Sequence, residues 1–161
     1  MEKEYAYFAG GCFWGMEYLM SKQEGVLNVE SGFMGGTVRN PSYNQVRTGR
    51  TGHAETVKIT FDPLIVPYET LAKLFFEIHD PEQVNSQGPD VGLQYRSVAF
   101  YVNVEQKNII VKLINILKDK GYNIVTEVIL ASEFYKAENY HQHYYELHDK
   151  DELCHFYTKR F

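Results

Sequence analysis

Two segments of the chain place apolar residues at positions i, i+3, i+4 and i+7, the spacing of the buried face of a helix. In the first segment these residues are Leu71, Leu74, Phe75 and Ile78. In the second segment they are Ile110, Leu113, Ile114 and Leu117. Pro67 and Pro81 bracket the first segment, and Gly121 follows the second as a helix stop. The pattern therefore predicts two amphipathic helices, one over residues 67–80 and one ending near residue 121.

Alternation with a period of two predicts the strands. The clearest case is 53–61, in which one face carries Glu55, Val57, Ile59 and Phe61. Other strands are expected at 4–9, 26–32, 97–102 and 124–130, and another helix at 13–22. Residues 33–52 and 81–96 are predicted as long loops, and 131–161 as a polar and aromatic tail. This order predicts an α+β fold: a two-layer sandwich with a mixed β-sheet, a ferredoxin-like core and an extended C-terminal tail.

Composition narrows the class of protein. The 161 residues correspond to one domain over 1–161, and 44% hydrophobic residues are enough for a core. A net charge of −5 without any basic block argues against a nucleic-acid partner. No apolar run approaches the ~20 residues of a membrane span, and the first residues do not resemble a signal peptide. We therefore expect a cytoplasmic protein with no membrane partner, and a monomer because no heptad pattern is present.

The two cysteines, Cys12 and Cys154, stand near opposite ends of the chain, which argues against a disulfide scaffold or a Cys-x-x-Cys motif. Cys12 lies in the run Gly-Gly-Cys-Phe-Trp-Gly at residues 10–15, where a strand gives way to a helix. The unpaired N–H groups and the dipole of a helix N-terminus favour a thiolate, which is the reactive form of cysteine. The alternative is an inert cysteine buried in a strand-to-helix turn.

Candidate acids and hydrogen-bonding groups occur in two further segments. Glu55 shares a face with apolar residues, and burial there would raise the pKa of its carboxyl group and make it a proton donor near neutral pH. Alternatively, Glu55 reaches solvent at the start of its strand. The polar loop 85–97 contains Asp90 and Tyr95, which could line a site for a small polar group. Asp90 could equally be an ordinary turn residue.

Histidines near the C-terminus raise the question of a metal site. His141 and His143 are followed by His148, Cys154 and His155. Their spacing matches no known zinc pattern. We therefore predict surface or structural histidines and no metal site.

Taken together, these segments resemble the methionine sulfoxide reductase A family over nearly the whole chain. The most specific match is Gly-Cys-Phe-Trp-Gly at residues 11–15. Four further matches follow in order: Gly35-Gly36, His53-Ala54-Glu55, residues 90–97 and residues 137–142.

The resemblance implies reduction of methionine S-sulfoxide, free or in peptides and proteins. Cys12 would attack the sulfoxide sulfur, Glu55 would protonate the departing oxygen, and Tyr95 would hydrogen-bond that oxygen. Cys12 would become a sulfenic acid. A second thiol would convert it to a disulfide, which thioredoxin or another dithiol reductant would reduce. No cofactor is implied.

The resemblance also implies how the substrate is held. Phe13 and Trp14 would form an apolar wall for the methyl group, and Asp90 would bind the backbone N–H of the substrate methionine. Phe33 stands where the resemblance places a second tyrosine, so one hydrogen-bond donor would be missing and turnover would be lower. Cys154 is assigned as the resolving thiol, although its neighbours are not glycine-rich. The alternative is an idle cysteine and recycling by an external thiol.

Two other functions compete with this interpretation. A cysteine hydrolase would use Cys12 with His53 or His141 as the base, and it would need that imidazole within hydrogen-bond reach of the sulfur. A non-enzymatic peptide-binding domain with an aromatic groove would keep its function after Cys12→Ser. The reductase would lose activity on that change and would require a thiol reductant.

Overall fold

The computed structural model of the chain describes residues 2–144 and 155–161. Cys154, the predicted resolving thiol, lies outside the described residues. The strands are β1 (Glu4–Gly10), β2 (Val26–Met34), β3 (Ala54–Phe61), β4 (Ser86–Gln87), β5 (Asp90–Val91), β6 (Ser97–Tyr101), β7 (Glu127–Leu130) and β8 (Tyr135–Lys136). The α-helices are α1 (Phe13–Ser21), α2 (Tyr43–Arg47), α3 (Tyr68–Glu77) and α4 (Val104–Asp119). Two 3₁₀ turns span Leu93–Tyr95 and Asn139–His141.

Six strands form one sheet in the order β7-β6-β1-β3-β2-β8. The pair β6–β7 is parallel, and every other neighbouring pair is antiparallel. The predicted mixed sheet is therefore confirmed. β1 and β3 occupy the centre, so the turn that follows β1 and the side chains of β3 lie in the middle of the fold. β4 and β5 form a separate small hairpin.

The helices α1, α3 and α4 pack on one face of the sheet, and the main core lies between the two layers. The predicted inward residues of α3 and α4 are buried, except that Leu74 is partly exposed. On β3, Val57, Ile59 and Phe61 are fully buried, as the alternation predicts. The opposite face of the sheet carries a smaller apolar cluster around Phe100, which Phe134 helps to cover.

Three predicted irregular regions contain regular structure. In 33–52, β2 continues to Met34, and α2 follows after a capping box in which Ser42 accepts from the N–H of Gln45. In 81–96, β4 and β5 form their hairpin. In the tail, β8 adds a sixth strand beside β2. The loop and tail predictions were wrong at these places because elements of two to five residues are too short to show a period.

Within the described ranges, no helix has the length and apolar character needed to cross a membrane.

Candidate active site

Cys12 is the N-cap residue of α1, with an extended backbone (φ −56°, ψ 119°) directly before the first helical residue. Its carbonyl oxygen accepts from the N–H of Met16 at 3.4 Å. The preceding Gly11 has φ +95°, a left-handed conformation that side chains disfavour, and a Cβ there would lie 2.6 Å from the Gln87 side chain. Glycine therefore permits the tight turn that puts the thiol at the helix N-terminus, where the sequence predicts it.

The carboxyl group of Glu55 reaches the same helix N-terminus from β3. Its Oε1 accepts a hydrogen bond from the backbone N–H of Phe13 at 3.2 Å. Phe13 follows Cys12 in the chain, so the carboxyl group and the thiol lie at one turn. Glu55 is only 2% exposed. The alternative in which Glu55 reaches solvent at a strand start is therefore wrong.

Two phenol groups share this environment. Burial raises the pKa of Tyr95 to about 12, with further contributions from the charges of Glu55, Asp90 and Cys12. Burial raises the pKa of Tyr43 as well, and Glu55, Tyr95 and Cys12 add to the increase. Both hydroxyl groups therefore keep their protons at neutral pH and can donate hydrogen bonds. The shared electrostatic partners place Tyr43 and Tyr95 in the neighbourhood of Cys12 and Glu55.

Tyr43 was not among the predicted site residues, because the sequence pattern predicts an irregular loop at 33–52. A signal was available in the spacing of Ser42 and Gln45, which is the Ser-x-x-Gln signature of a capping box. That signature predicts a helix beginning at Tyr43. A helix there fixes the direction of the Tyr43 side chain, which a loop does not.

Aromatic rings cover the helix N-terminus. The ring of Phe13 lies 5.6 Å from that of Phe33 and 6.1 Å from that of Tyr43, measured between centroids. The Trp14 ring stacks on Tyr144 at 3.8 Å, and its Nε1–H donates to Nδ1 of His141 at 3.0 Å. These contacts hold the Phe13 and Trp14 rings in fixed orientations. Phe33 is fully buried and supports Phe13 from within the core.

Asp90 lies on the hairpin strand β5 and is partly exposed. Burial raises the pKa of its carboxyl group, and its charge contributes to the raised pKa of Tyr95. The structure therefore brings Asp90 to the Tyr95 side of the site. Of the eight residues that the sequence predicts for the site, seven lie in this region, and Cys154 lies outside the described residues.

The histidines have other partners. Nδ1 of His53 accepts from the N–H of Gly36 at 3.0 Å, and its Nε2 lies 2.7 Å from the carbonyl oxygen of Val38. With both ring nitrogens engaged by the loop backbone, His53 is not positioned as a base for a cysteine hydrolase. His141 is fully buried, which lowers its pKa, and its Nδ1 already accepts from Trp14. Within 2–144 and 155–161, no three His, Cys, Asp or Glu residues form a group that could hold a metal ion.

Comparisons with known proteins identify the family of the chain. The family model for peptide methionine sulfoxide reductase matches residues 4–161. The peptide methionine sulfoxide reductase MsrA of Sulfolobus acidocaldarius is 46% identical over 152 residues, which cover 94% of this chain and 86% of that protein. The crystal structure of Mxr1 from Saccharomyces cerevisiae in reduced form is 31% identical, with a TM-score of 0.91 over 97% of this chain and 92% of that one.

The same yeast protein has also been solved in complex with Trx2. That chain superposes with a TM-score of 0.67 at 21% identity, over 97% of this chain and 90% of that one, which shows a shared fold. The family match over almost the whole chain and the 46% identity to a curated relative decide the assignment. The chain therefore belongs to the peptide methionine sulfoxide reductase family, type MsrA, and is an oxidoreductase that acts on methionine sulfoxide.

Proposed function

We propose that Cys12 is the nucleophile that reduces methionine S-sulfoxide, and that Glu55 supplies the proton. One observation carries this proposal: Glu55 accepts a hydrogen bond from the N–H of Phe13, the residue after Cys12. Thiol and carboxyl group are therefore held at one helix N-terminus. The N-terminal N–H groups favour the thiolate of Cys12. The hydrogen bond from Phe13 by itself favours the carboxylate, whereas burial away from water and the negative charge of the neighbouring thiolate favour the protonated form of Glu55.

In the first half of the reaction, the thiolate attacks the sulfoxide sulfur, and the sulfoxide oxygen takes the proton of Glu55. Oxygen passes to the cysteine sulfur, which leaves methionine and the sulfenic acid of Cys12. The sulfoxide gains two electrons, and the thiol loses two. Negative charge develops on the oxygen during this step. The hydroxyl groups of Tyr43 and Tyr95, both protonated at neutral pH, are the donors that stabilise it.

The presence of Tyr43 changes the interpretation of Phe33. The sequence led to the expectation that Phe33 removes one of two phenol donors. Phe33 is fully buried against Phe13 and lies opposite Glu55 in the β2–β3 pair. Tyr43, which does carry a hydroxyl group, shares its electrostatic environment with Cys12 and Glu55. Tyr43 is therefore a second donor beside Tyr95, and it makes up for the hydroxyl group that Phe33 lacks.

Binding of the substrate follows from the remaining side chains. Phe13 and Trp14 form the apolar wall for the methyl group, with Phe33 as the support of Phe13. Trp14 is suited to this because His141 fixes its Nε1–H. Asp90, beside Tyr95, accepts a hydrogen bond from the backbone N–H of the substrate methionine.

In the second half of the reaction, the thiol of Cys154 condenses with the sulfenic acid of Cys12 to give a disulfide and water. Thioredoxin or another dithiol then reduces that disulfide by thiol exchange. The complex of the yeast relative Mxr1 with Trx2 supports a thioredoxin as the reductant.

The central strand order β6-β1-β3-β2, with α1 and α3 as crossovers, supports describing the core as ferredoxin-like.

A single turnover followed by mass spectrometry tests this function. Fully reduced protein is mixed with the S epimer of methionine sulfoxide in the absence of reductant. We expect one methionine per protein, the loss of two hydrogens, and a Cys12–Cys154 link in peptide mapping. Gain of one oxygen on Cys12 instead would keep the first half and exclude Cys154 as the resolving thiol. Absence of methionine with the S epimer would overturn the proposal.

A further inference from the structure

The end of the chain packs against the back of the turn that carries Cys12. His155 is 2% exposed, and its Nε2 lies 2.6 Å from the carbonyl oxygen of Gly10. A carbonyl oxygen accepts, so Nε2 carries the proton and donates. Burial lowers the pKa of His155, and the hydrogen bond to Gly10 opposes that shift. The ring is therefore a neutral donor at physiological pH.

Two glycines of the turn make room for this imidazole. A Cβ at Gly11 would lie 3.2 Å from Nε2 of His155, and a Cβ at Gly15 would collide with Nδ1. Nδ1 has no hydrogen-bond partner among the described residues and is buried against Gly15. The ring is thus enclosed by the first residues of the catalytic turn and the first turn of α1.

The residues after His155 make hydrogen bonds to α3. The N–H of Thr158 donates to the carbonyl oxygen of Glu77 at 2.7 Å. The Nε–H of Arg160 donates to the carbonyl oxygen of Phe76 at 2.8 Å. Both contacts join the chain end to α3, so neither reaches the catalytic turn. His155 is the residue of 155–161 that links the chain end directly to Gly10 and Gly11.

We propose that His155 is a positioning residue for the recycling step. This inference rests on the proposed role of Cys154 as resolving thiol. His155 hydrogen-bonds to Gly10, and a Cβ added at Gly11 would lie 3.2 Å from its Nε2. Gly11 and His155 are each the immediate chain neighbour of a cysteine: Cys12 follows Gly11, and Cys154 precedes His155. A disulfide requires Cα atoms within about 7 Å of each other. Because His155 is fixed at this turn, the neighbouring Cys154 thiol has a higher effective concentration near Cys12, and the condensation is faster.

The thiolate of Cys154 attacks the sulfur of the Cys12 sulfenic acid, and the S–O bond breaks. The oxygen leaves as water after taking a proton, and the disulfide holds the two oxidising equivalents that came from the sulfoxide. His155 neither touches the reacting atoms nor exchanges a proton. Its contribution is the hydrogen bond from Nε2–H to Gly10 and the contact with Gly11.

Rapid-quench single turnovers with mass spectrometry separate the two halves of the reaction. Fully reduced wild type, His155→Phe and His155→Gln are mixed with the S epimer without reductant, and methionine and disulfide are followed in time. Phenylalanine fills the space without the donor, and glutamine keeps an N–H donor. Arg160→Met is the matched control, because it removes a chain-end contact that does not reach the turn.

We expect methionine formation in His155→Phe to stay close to the wild-type rate. Disulfide formation should slow about 10-fold or more, because the residue next to Cys154 is no longer fixed at the turn that carries Cys12, and the Cys12 sulfenic acid should accumulate. His155→Gln should recover most of the disulfide rate, and Arg160→Met should match wild type. A wild-type disulfide rate in His155→Phe would overturn the inference, as would equal slowing in Arg160→Met. If wild type itself forms methionine but no Cys12–Cys154 disulfide, the resolving role of Cys154 fails instead.

Discussion

The backbone N–H of Phe13 donates to the carboxyl group of Glu55 at 3.2 Å, across 42 positions of sequence. This bond joins the first turn of α1 to the central strand β3. Because Phe13 is the residue after Cys12, the bond keeps a buried carboxyl group beside the thiol. The relationship supports the proposed role of Glu55 as the proton donor, and that role can be tested without disrupting the fold.

Glu55→Gln should abolish proton donation while keeping an acceptor for Phe13, since the amide oxygen of glutamine can replace the carboxyl oxygen. We expect methionine formation in a single turnover to fall about 10²–10⁴-fold, the usual contribution of general acid catalysis. The unfolding midpoint in urea should stay close to that of wild type. Glu30→Gln is the control, because Glu30 forms partly exposed ion pairs with Lys58 and Lys136 and should leave the rate unchanged. A normal rate in Glu55→Gln would exclude Glu55 as the proton donor.

Tyr43→Phe and Tyr95→Phe should each slow methionine formation, because each change removes one donor to the developing charge on oxygen. We expect about 10-fold for each single change while the other phenol remains, and about 10²–10³-fold for the double change. Single-turnover rates measure this directly. Tyr101→Phe, on β6, serves as the control. If Tyr43→Phe has the wild-type rate and Tyr95→Phe alone carries the loss, Tyr43 is not a donor.

Phe33→Tyr tests whether the enzyme lacks a phenol at position 33. Phe33 is 0% exposed, packs against Phe13 and lies opposite Glu55 in the β2–β3 pair. An added hydroxyl group would need space in a fully packed site, and such overpacking costs about 1–3 kcal/mol in the free energy of unfolding. We expect a lower urea midpoint and no gain in the rate of methionine formation. Phe156→Tyr, at a position 76% exposed, should leave both quantities unchanged.

A faster first half-reaction in Phe33→Tyr, with undiminished stability, would show that the missing hydroxyl group limits the enzyme. It would also contradict the assignment of the second donor to Tyr43.

Acid should destabilise the fold through His79. Burial, with the charges of His155 and Arg160, lowers the pKa of His79 to about 3, against opposing contributions from the Phe75 carbonyl and Asp80. The folded pKa lies below the unfolded value of 6.5, so the unfolded chain binds the proton more tightly. The stabilisation is complete above pH 6.5 and is lost as the pH falls toward about 3, at about 1.4 kcal/mol per pH unit.

Urea unfolding at a series of pH values from 7.5 to 4 measures this slope. His79→Phe removes the titrating group and should show a shallower loss of the free energy of unfolding with acid, whatever its stability at pH 7.5. His155, whose pKa is also lowered by burial, should account for part of the remaining slope. Parallel curves for wild type and His79→Phe would show that His79 does not control the acid response.

Local patterns were sufficient for the larger elements. The periods of α3, α4 and β3 are repeated over eight residues or more, and the buried residues they predict are buried in the structure. Local patterns did not predict α2 and β8, because elements of five and two residues are too short to show a period. Tyr43, the proposed second donor, was missed for this reason, since it lies on α2.

By itself, the sequence determined that Cys12 opens a helix after two glycines, that Glu55 lies on an apolar strand face, and which family the chain resembles. These features depend on residues that are close together in the chain, so short segments of the sequence are enough to predict them. Only the tertiary structure decided that Tyr43, Tyr95 and Glu55 converge on Cys12, and that His155 fills the space behind Gly11 and Gly15. The pairing of distant strands and the path of the loops set those contacts, and no local spacing of residues encodes them.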